Sequence, residues 1–366
     1  MKVNILQQDL FPALSAVARS CGVRSQLPVL GNVLLQTDQG RLKLSATNLE
    51  IGVVKFIKAE IEEEGEITVP AKTLVEVVAN LGGEKLEITS SSDQLEITTP
   101  TFSSKVSGIA ASEFPIIPLA GKEATHLDPQ ILIKALPEVT FSSAVDEGRP
   151  VLTGILTEIK DGHLELVATD GYRLAHKIVP TKAGVAFKAL VPRRTLEEIA
   201  RLMSEEEVDG LEITTSNDQN QIIFSFGNTR LSSRLIDGQF PAWEKIIPTD
   251  YQARLVVERL ELLKAVKLAS IFAKGEANIV KLQNSPQKLI LTSEAKELGN
   301  QKKEIKAEGE GQEIQIAFNT KFLIDALSAT SSSQVILELS GPLSAAILKP
   351  MGEDGLRYVI MPVNLS

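Results

Sequence analysis

The chain has 366 residues, 43% hydrophobic and 23% charged, with a formal net charge of −9. That balance excludes a disordered chain, and the length allows two or three domains with proper cores. One cysteine, Cys21, excludes an intrachain disulfide, and with His126, His163 and His176 it cannot build the usual zinc site. The acidic balance also argues against gripping phosphates over the whole surface, so a nucleic-acid role needs basic residues gathered on one face. No apolar run approaches a membrane span, and the N-terminus MKVNILQQDL has no signal-peptide core; the expected location is the cytoplasm.

A short strand is expected at Lys2–Ile5, then a helix from about Gln8 to Arg19 with Leu10, Leu14 and Val17 as its apolar stripe. Residues 28–48, PVLGNVLLQTDQGRLKLSATN, alternate apolar and polar on both sides of Gln39-Gly40, which is a β-hairpin signal. Val69-Pro70 opens a second helix with Leu74, Val77, Val78 and Leu81 in its stripe, stopped by Gly82-Gly83. Alternating runs at Lys85–Ile88 and Gln94–Thr98 follow, and Phe114-Pro115 closes this part of the chain.

The order then repeats. Asp128 and Pro129 start a helix that runs to about Phe141. Residues 150–170, PVLTGILTEIKDGHLELVATD, restate the first hairpin 122 residues on, with Asp161-Gly162 at the break. Val191-Pro192 lies 122 residues after Val69-Pro70 and opens a helix with Leu196, Ile199, Ala200 and Met203 in the stripe. Phe240-Pro241 repeats the Phe-Pro closure. A third, more diverged unit follows: a helix over about Glu258–Ala273, the run KLILT at 288–292, and a helix from Phe318 with Leu323, Ala326, Leu327 and Thr330 in the stripe. It ends at YVIMP, 358–362. A fixed-period match of this length points to internal repeats, divided at 1–122, 123–250 and 251–366. Two helices and several hairpin-linked strands per unit give an α+β fold, with helices packed on antiparallel sheet.

Catalytic patterns are not found. Gly121-Lys122 fails the phosphate-loop pattern, because Ile116 and Glu123 stand where Gly and Ser or Thr are needed. Gly309-Glu310-Gly311 reads as a turn among acids. Cys21 has no histidine near it in sequence and reads as a packed thiol. Glu62-Glu63-Glu64 reads as a solvated strand end, and Asp170 and Asp237, each before a glycine, as turn residues.

At ATDGYRLA (168–175), DGQFPAWEKIIP (237–248) and YVIMPVNL (358–365), and again at LPVLGNVLLQ (27–36) and VPRRTLEEI (191–199), the chain resembles the bacterial DNA polymerase III β subunit, the replicative sliding clamp. The resemblance runs from Met1 to Leu365. It implies a head-to-tail homodimer with six pseudo-equivalent units in a ring, helices lining the hole and sheets outside. It implies a processivity factor and no enzyme, with no cofactor. The implied partners are double-stranded DNA, the polymerase III catalytic subunit, the clamp-loader complex, and other polymerases and repair proteins that bind through short peptides.

By the same resemblance, a partner-peptide pocket lies between the second and third units. Leu152 comes from the hairpin start, and Thr169, Gly171, Tyr172, Arg173 and Leu174 from ATDGYRL. Pro241, Lys245 and Ile246 come from FPAWEKII. Ser344, Val359, Ile360, Met361, Pro362, Val363 and Asn364 come from the last strands and tail. Val363 and Asn364 stand where many relatives carry Met and Arg. DNA is expected to meet Arg24, Lys72, Lys134, Arg149, Arg193, Arg194, Arg201, Lys264, Lys267 and Lys321, although Glu76, Glu138, Glu197 and Asp325 share those helices. The dimer contact is expected at the edge strand near Ser104 and Val106, with Ile271 and Phe272 as apolar anchors. Two other function classes make different demands. An enzyme with a cleft between units would use Asp170 and Asp237 as a perturbed carboxylate pair. A repeat scaffold would need no basic helix face.

Overall fold

The computed structural model describes residues 1–22, 27–91, 93–146, 148–182, 185–216, 220–273, 278–295 and 299–364. Two compact units emerge, one made of 1–129 with 198–235, the other of 130–197 with 236–366. Six α-helices are described: α1 Gln7–Ala18, α2 Ala71–Ala79, α3 Pro129–Val139, α4 Arg193–Ser204, α5 Arg259–Phe272 and α6 Thr320–Ala329. All strand pairings are antiparallel among the described residues. No described helix is long and apolar enough to cross a membrane.

The repeat in the sequence is a repeat in the backbone. Strands Asn32–Asp38, Arg41–Thr47 and Ile51–Lys58 recur 122 residues on as Gly154–Lys160, His163–Thr169 and Arg173–Pro180, residue for residue at both ends. Leu34 pairs with Ser45 as Leu156 pairs with Val167. Both turns are closed by two residues with positive φ: Gln39 (48°) with Gly40 (74°), and Asp161 (51°) with Gly162 (75°). That is the turn whose twist matches the flanking strands. The Val-Pro pairs end strands (Glu66–Pro70, Phe187–Pro192), and the helix begins at the next residue. Proline supplies the last extended φ and has no N–H for the helix to satisfy.

Several expectations change. Gly309-Glu310-Gly311 is no turn: it lies in strand Glu308–Gly311, paired antiparallel with Ala253–Val256. Thr330 falls beyond α6, which stops at Ala329. Phe318 does not open a helix: it is fully buried in strand Gln315–Asn319, paired with Val280. The helix starts at Thr320, and the Asn319 side chain caps it by accepting the Lys321 N–H at 2.9 Å. Leu81 falls beyond α2, which stops at Ala79 ahead of Gly82-Gly83. Val106 is only 7% exposed, because alternation turns it into the core of its own sheet and leaves Ser103, Lys105 and Ser107 outward.

Sheets run across the repeat junctions. In the first unit, one five-stranded sheet has Ser103–Ser107 at its edge. The eight-stranded sheet joins Ile51–Lys58 of the first repeat to Thr229–Arg234 of the second, with Leu231 opposite Val53. In the second unit, the nine-stranded sheet joins Arg173–Pro180 of the second repeat to Leu356–Ile360 of the third, with Leu174 opposite Val359. The four-stranded sheet ends at Gly299–Lys306, which among the described residues pairs with Lys288–Ala295 alone. α1 packs on α2, and α5 on α6.

The hairpin turn is the cheapest place to test this frame. Gly162→Ala forces a side chain into left-handed backbone at a cost of about 1–2 kcal/mol. Gly210→Ala, at a position with open space and no positive φ, should be near neutral. Urea unfolding of both variants checks the difference.

Candidate functional site

The site is built on the turn 169–173, and the turn is built from its own side chains. Thr169 Oγ1 donates to the Arg173 carbonyl at 2.7 Å and accepts the Gly171 N–H at 3.1 Å. Asp170 Oδ1 accepts the N–H groups of Tyr172 (2.9 Å) and Arg173 (3.0 Å). Gly171 sits at φ +92°, where an added Cβ would lie 3.0 Å from Arg149 Nη1. Arg149 Nη2 donates to the Asp170 carbonyl at 3.1 Å. The turn leaves Tyr172 61% exposed, stacked on Phe322 of α6 with centroids 6.4 Å apart and planes at 20°. The tail is tied to the same turn, since the Met361 N–H donates to the Tyr172 carbonyl at 2.9 Å.

Below the turn, Leu156, Val167, Leu174, Trp243, Ala345 and Val359 form one buried apolar cluster, with Phe240 and Ile247 packed against it. The exposed apolar side chains that come with these segments are Ile246, Leu343 and Met361, besides Tyr172. Pro241, Lys245, Ser344 and Asn364 are exposed, and Pro362 and Val363 half-buried. Leu152 is buried. Trp243 also touches the His176 ring, at 4.6 Å between centroids. His176 Nε2 lies 2.6 Å from Glu165 Oε1, and Arg357 Nε lies 2.8 Å from His176 Nδ1. The hydrogen bond with His176 holds the Glu165 carboxyl below the usual carboxylate range, against the opposing effect of burial.

Alternation divides the expected pocket residues into two groups. Leu174 and Val359 point to the apolar cluster, so their neighbours Arg173 and Ile360 point to the opposite face of the same sheet. Ile360 is 1% exposed. Arg173 is fully engaged. Its Nε donates to Asp170 Oδ2 at 3.0 Å, Nη1 to Asp325 Oδ2 at 2.6 Å and Nη2 to the Phe141 carbonyl at 2.7 Å. Its guanidinium lies 4.8 Å from the Phe322 ring centroid and 5.3 Å from that of Phe141. Arg173 and Ile360 are therefore buried on the face of the sheet opposite the apolar cluster. Leu156, Val167, Trp243, Leu343 and Phe322 lie in or against these segments without having been singled out in the sequence, and Asp325, noted there only as an acid beside the basic residues of its helix, is a partner of Arg173. Leu156 and Val167 could have been found by the alternation that marks Leu174; nothing local marks Leu343.

The basic candidates behave differently from one another. Lys134, Arg194, Lys264 and Lys267 are exposed on α3, α4 and α5. Lys72 faces Glu76 at 3.9 Å, Arg193 faces Glu197 at 2.6 Å and Lys321 faces Asp325 at 2.7 Å, each one helical turn away. Arg201 is held by both Glu198 and Glu205, which leaves it no free fork for phosphate. Arg24 lies outside the described residues. Ile271 is 52% exposed at the end of α5, beside half-buried Phe272. Among the described residues, no cluster of His, Cys, Asp or Glu is arranged to hold a metal ion. Burial pushes the Cys21 thiol up to about 11, and its Sγ lies 3.4 Å from the Asn32 carbonyl, so it is no thiolate nucleophile at neutral pH.

Comparison with known proteins places all three repeats in one family. Residues 1–118 match the DNA polymerase III beta subunit N-terminal domain, 126–242 its central domain and 244–364 its C-terminal domain. The "Beta sliding clamp" of Synechococcus elongatus is 33% identical over 378 residues, and that of Synechocystis 34% over 390, each alignment covering both chains in full. The solved structure of a sliding clamp from Pseudomonas aeruginosa bound to griselimycin is 29% identical and superimposes with a TM-score of 0.95 over the whole of both chains.

Arg173 provides the test of this geometry. Arg173→Met removes the shared partner of two partly buried carboxylates, and should destabilise the protein by about 3–5 kcal/mol in urea unfolding. A free, peptide-facing arginine would instead give a change near zero.

Proposed function

The chain belongs to the DNA polymerase III β-subunit family of sliding clamps, and on that premise we propose that two copies close head to tail around duplex DNA and tether partner proteins through the site at Tyr172. Three clamp domains, 1–122, 123–250 and 251–366, make up each copy. The observation that carries the ring is a pairing rule. At both internal junctions, the third strand of one repeat's hairpin pairs with the closing strand of the next: Ile51–Lys58 with Thr229–Arg234, and Arg173–Pro180 with Leu356–Ile360. Two strands of the same kinds, Gly299–Lys306 and Ser103–Ser107, stand at sheet edges. Edges of this kind invite a further strand. Pairing Gly299–Lys306 of one chain with Ser103–Ser107 of another repeats the internal junction, and doing so twice closes six repeats. Ser104 contributes through its backbone, and Ile271 and Phe272 are the apolar anchors beside it.

The ring explains how an acidic protein can stay on DNA. Topology, not contact energy, prevents departure. Lys134, Arg149, Arg194, Lys264 and Lys267, with Lys72, Arg193 and Lys321 exchanging acid partners for phosphate, keep the duplex centred by weak contacts. The chain performs no chemistry of its own: Asp170 is spent on its turn, and ring opening with ATP belongs to a separate loader. Its place of work is the cytoplasm, with the chromosome. The apolar cluster under Tyr172, Ile246, Leu343 and Met361 suits a short peptide with a glutamine followed by aliphatic or aromatic residues. Such tethering raises the local concentration of a polymerase at its primer end.

Two measurements test this reading. The protein is loaded onto a nicked circular plasmid by a loader with ATP, and retention is followed by gel filtration as salt rises. Retention on the circle and rapid loss after linearisation are expected. A binder held by charge would instead leave both forms alike, with a log–log salt slope of roughly −0.9 per phosphate contact. In the second, calorimetry with the glutamine-aliphatic peptide should give micromolar binding, about −8 kcal/mol. Tyr172→Ala should weaken it by about 1–3 kcal/mol, as befits an exposed aromatic anchor. Equal affinity for the two proteins would move the site elsewhere.

A further inference from the structure

Asp325 serves two cations with one oxygen. Its Oδ2 accepts Arg173 Nη1 at 2.6 Å and Lys321 Nζ at 2.7 Å. Arg173 is 8% exposed and belongs to the underside of the pocket turn; Lys321 lies on the open side of α6 with a side chain 66% exposed. The chain of contacts continues from Arg173 Nε to Asp170 Oδ2 at 3.0 Å, and from Asp170 Oδ1 to the Tyr172 N–H at 2.9 Å. Phe322, between Lys321 and Asp325 in sequence, stacks on both Tyr172 and the Arg173 guanidinium. One turn of α6 therefore touches the peptide site and the helix surface at once.

We infer that Phe322 and Asp325 are positioning residues for the peptide site, and that Asp325 couples the exposed face of α6 to it. The inference rests on the peptide-binding reading above. Two cations on one carboxylate oxygen compete for the same lone pairs. A polyanion that draws Lys321 away leaves the oxygen to Arg173, which tightens the Asp170 turn and presents Tyr172 in a narrower range of orientations. Duplex DNA at Lys321 then strengthens peptide binding, and by linkage a bound peptide strengthens the DNA contact by the same factor.

The test uses the full-length protein and a fluorescent peptide of glutamine followed by three aliphatic residues, read by anisotropy. Lys321→Met should tighten peptide binding by about two- to five-fold, the range of a partly exposed ion pair. Asp325→Asn should weaken it, and Lys321→Met added to Asp325→Asn should then have no effect. Duplex in the form of a nicked circular plasmid, onto which the protein has been loaded and from which the loader has been removed by gel filtration, should tighten binding to the unsubstituted protein and leave Lys321→Met unchanged. A residue that merely supports the fold would show additive substitutions and no response to the duplex. Circular dichroism checks that each variant folds; should Asp325→Asn fail to fold, Lys321→Met with and without duplex decides. Peptide affinity unmoved by Lys321→Met, additive effects in the double variant, or unsubstituted protein indifferent to the duplex would each overturn the coupling while leaving the peptide site standing. No peptide binding by the unsubstituted protein overturns both.

Discussion

The backbone's need to pair every strand edge organises this molecule. An unpaired edge leaves a row of N–H and C=O groups with no partner but water or another chain. The repeats meet that need by lending strands to one another, so the sheets of 51–58 with 229–234 and of 173–180 with 356–360 run through the junctions without a break. The apolar cluster beneath the proposed peptide site exists because of this. Leu174 from the second repeat and Val359 from the third are direct cross-strand neighbours, and their apolar cluster is assembled from chain segments far apart in sequence. A loose linker between repeats would give no such floor.

Much of the fold was legible because hairpins and helices leave local patterns. Period-two alternation around Gln39-Gly40 and Asp161-Gly162 located both hairpins, and Val-Pro located the starts of α2 and α4. The start of α6 was misplaced because Phe318 carries no proline to mark the strand end, and the cap lies in the next residue, Asn319. Pairing between repeats has no local signature, so nothing in Arg173–Pro180 announces Leu356–Ile360 as its neighbour. The site was legible as a set of segments and less so as a set of side chains. Tyr172, Ile246 and Met361 are exposed, while Arg173 and Ile360, in the same segments, are buried on the other face of the sheet from Leu174 and Val359. Alternation through Arg173, Leu174 and Ala175 carried that division, but a list of motif residues does not record it.

Electrostatics show the same dependence on context. Counting basic residues on helices overstates the positive surface, since Lys72, Arg193 and Lys321 each face an acid one turn away and Arg201 faces two. Exposed pairs of this kind contribute little to stability and are screened by salt. They are therefore easily exchanged for phosphate, as the proposed sliding contact requires. Arg173 is the opposite case: buried, ringed by two carboxylates, a carbonyl and two aromatic faces, it is fixed in place.

The turn 169–173 has a close copy at 47–51. Thr47 Oγ1 donates to the Ile51 carbonyl at 3.0 Å and accepts the Leu49 N–H at 3.0 Å, and Asn48 Oδ1 accepts the N–H groups of Glu50 and Ile51. Leu49 takes the left-handed conformation (φ 75°) that Gly171 takes in the second repeat. The backbone of each turn is closed by contacts that span no more than four residues, and the turn that carries Tyr172 is held besides by Arg149, by the Met361 N–H and, through Arg173, by Asp325. If the proposed peptide binds there, the backbone of the turn that carries Tyr172 has little conformational entropy left to lose, and the ordering cost falls on the Tyr172 side chain and the incoming peptide. Partners that visit such a ready-made surface differ chiefly in how fast they leave it, and residence time becomes the quantity by which successive visitors replace one another.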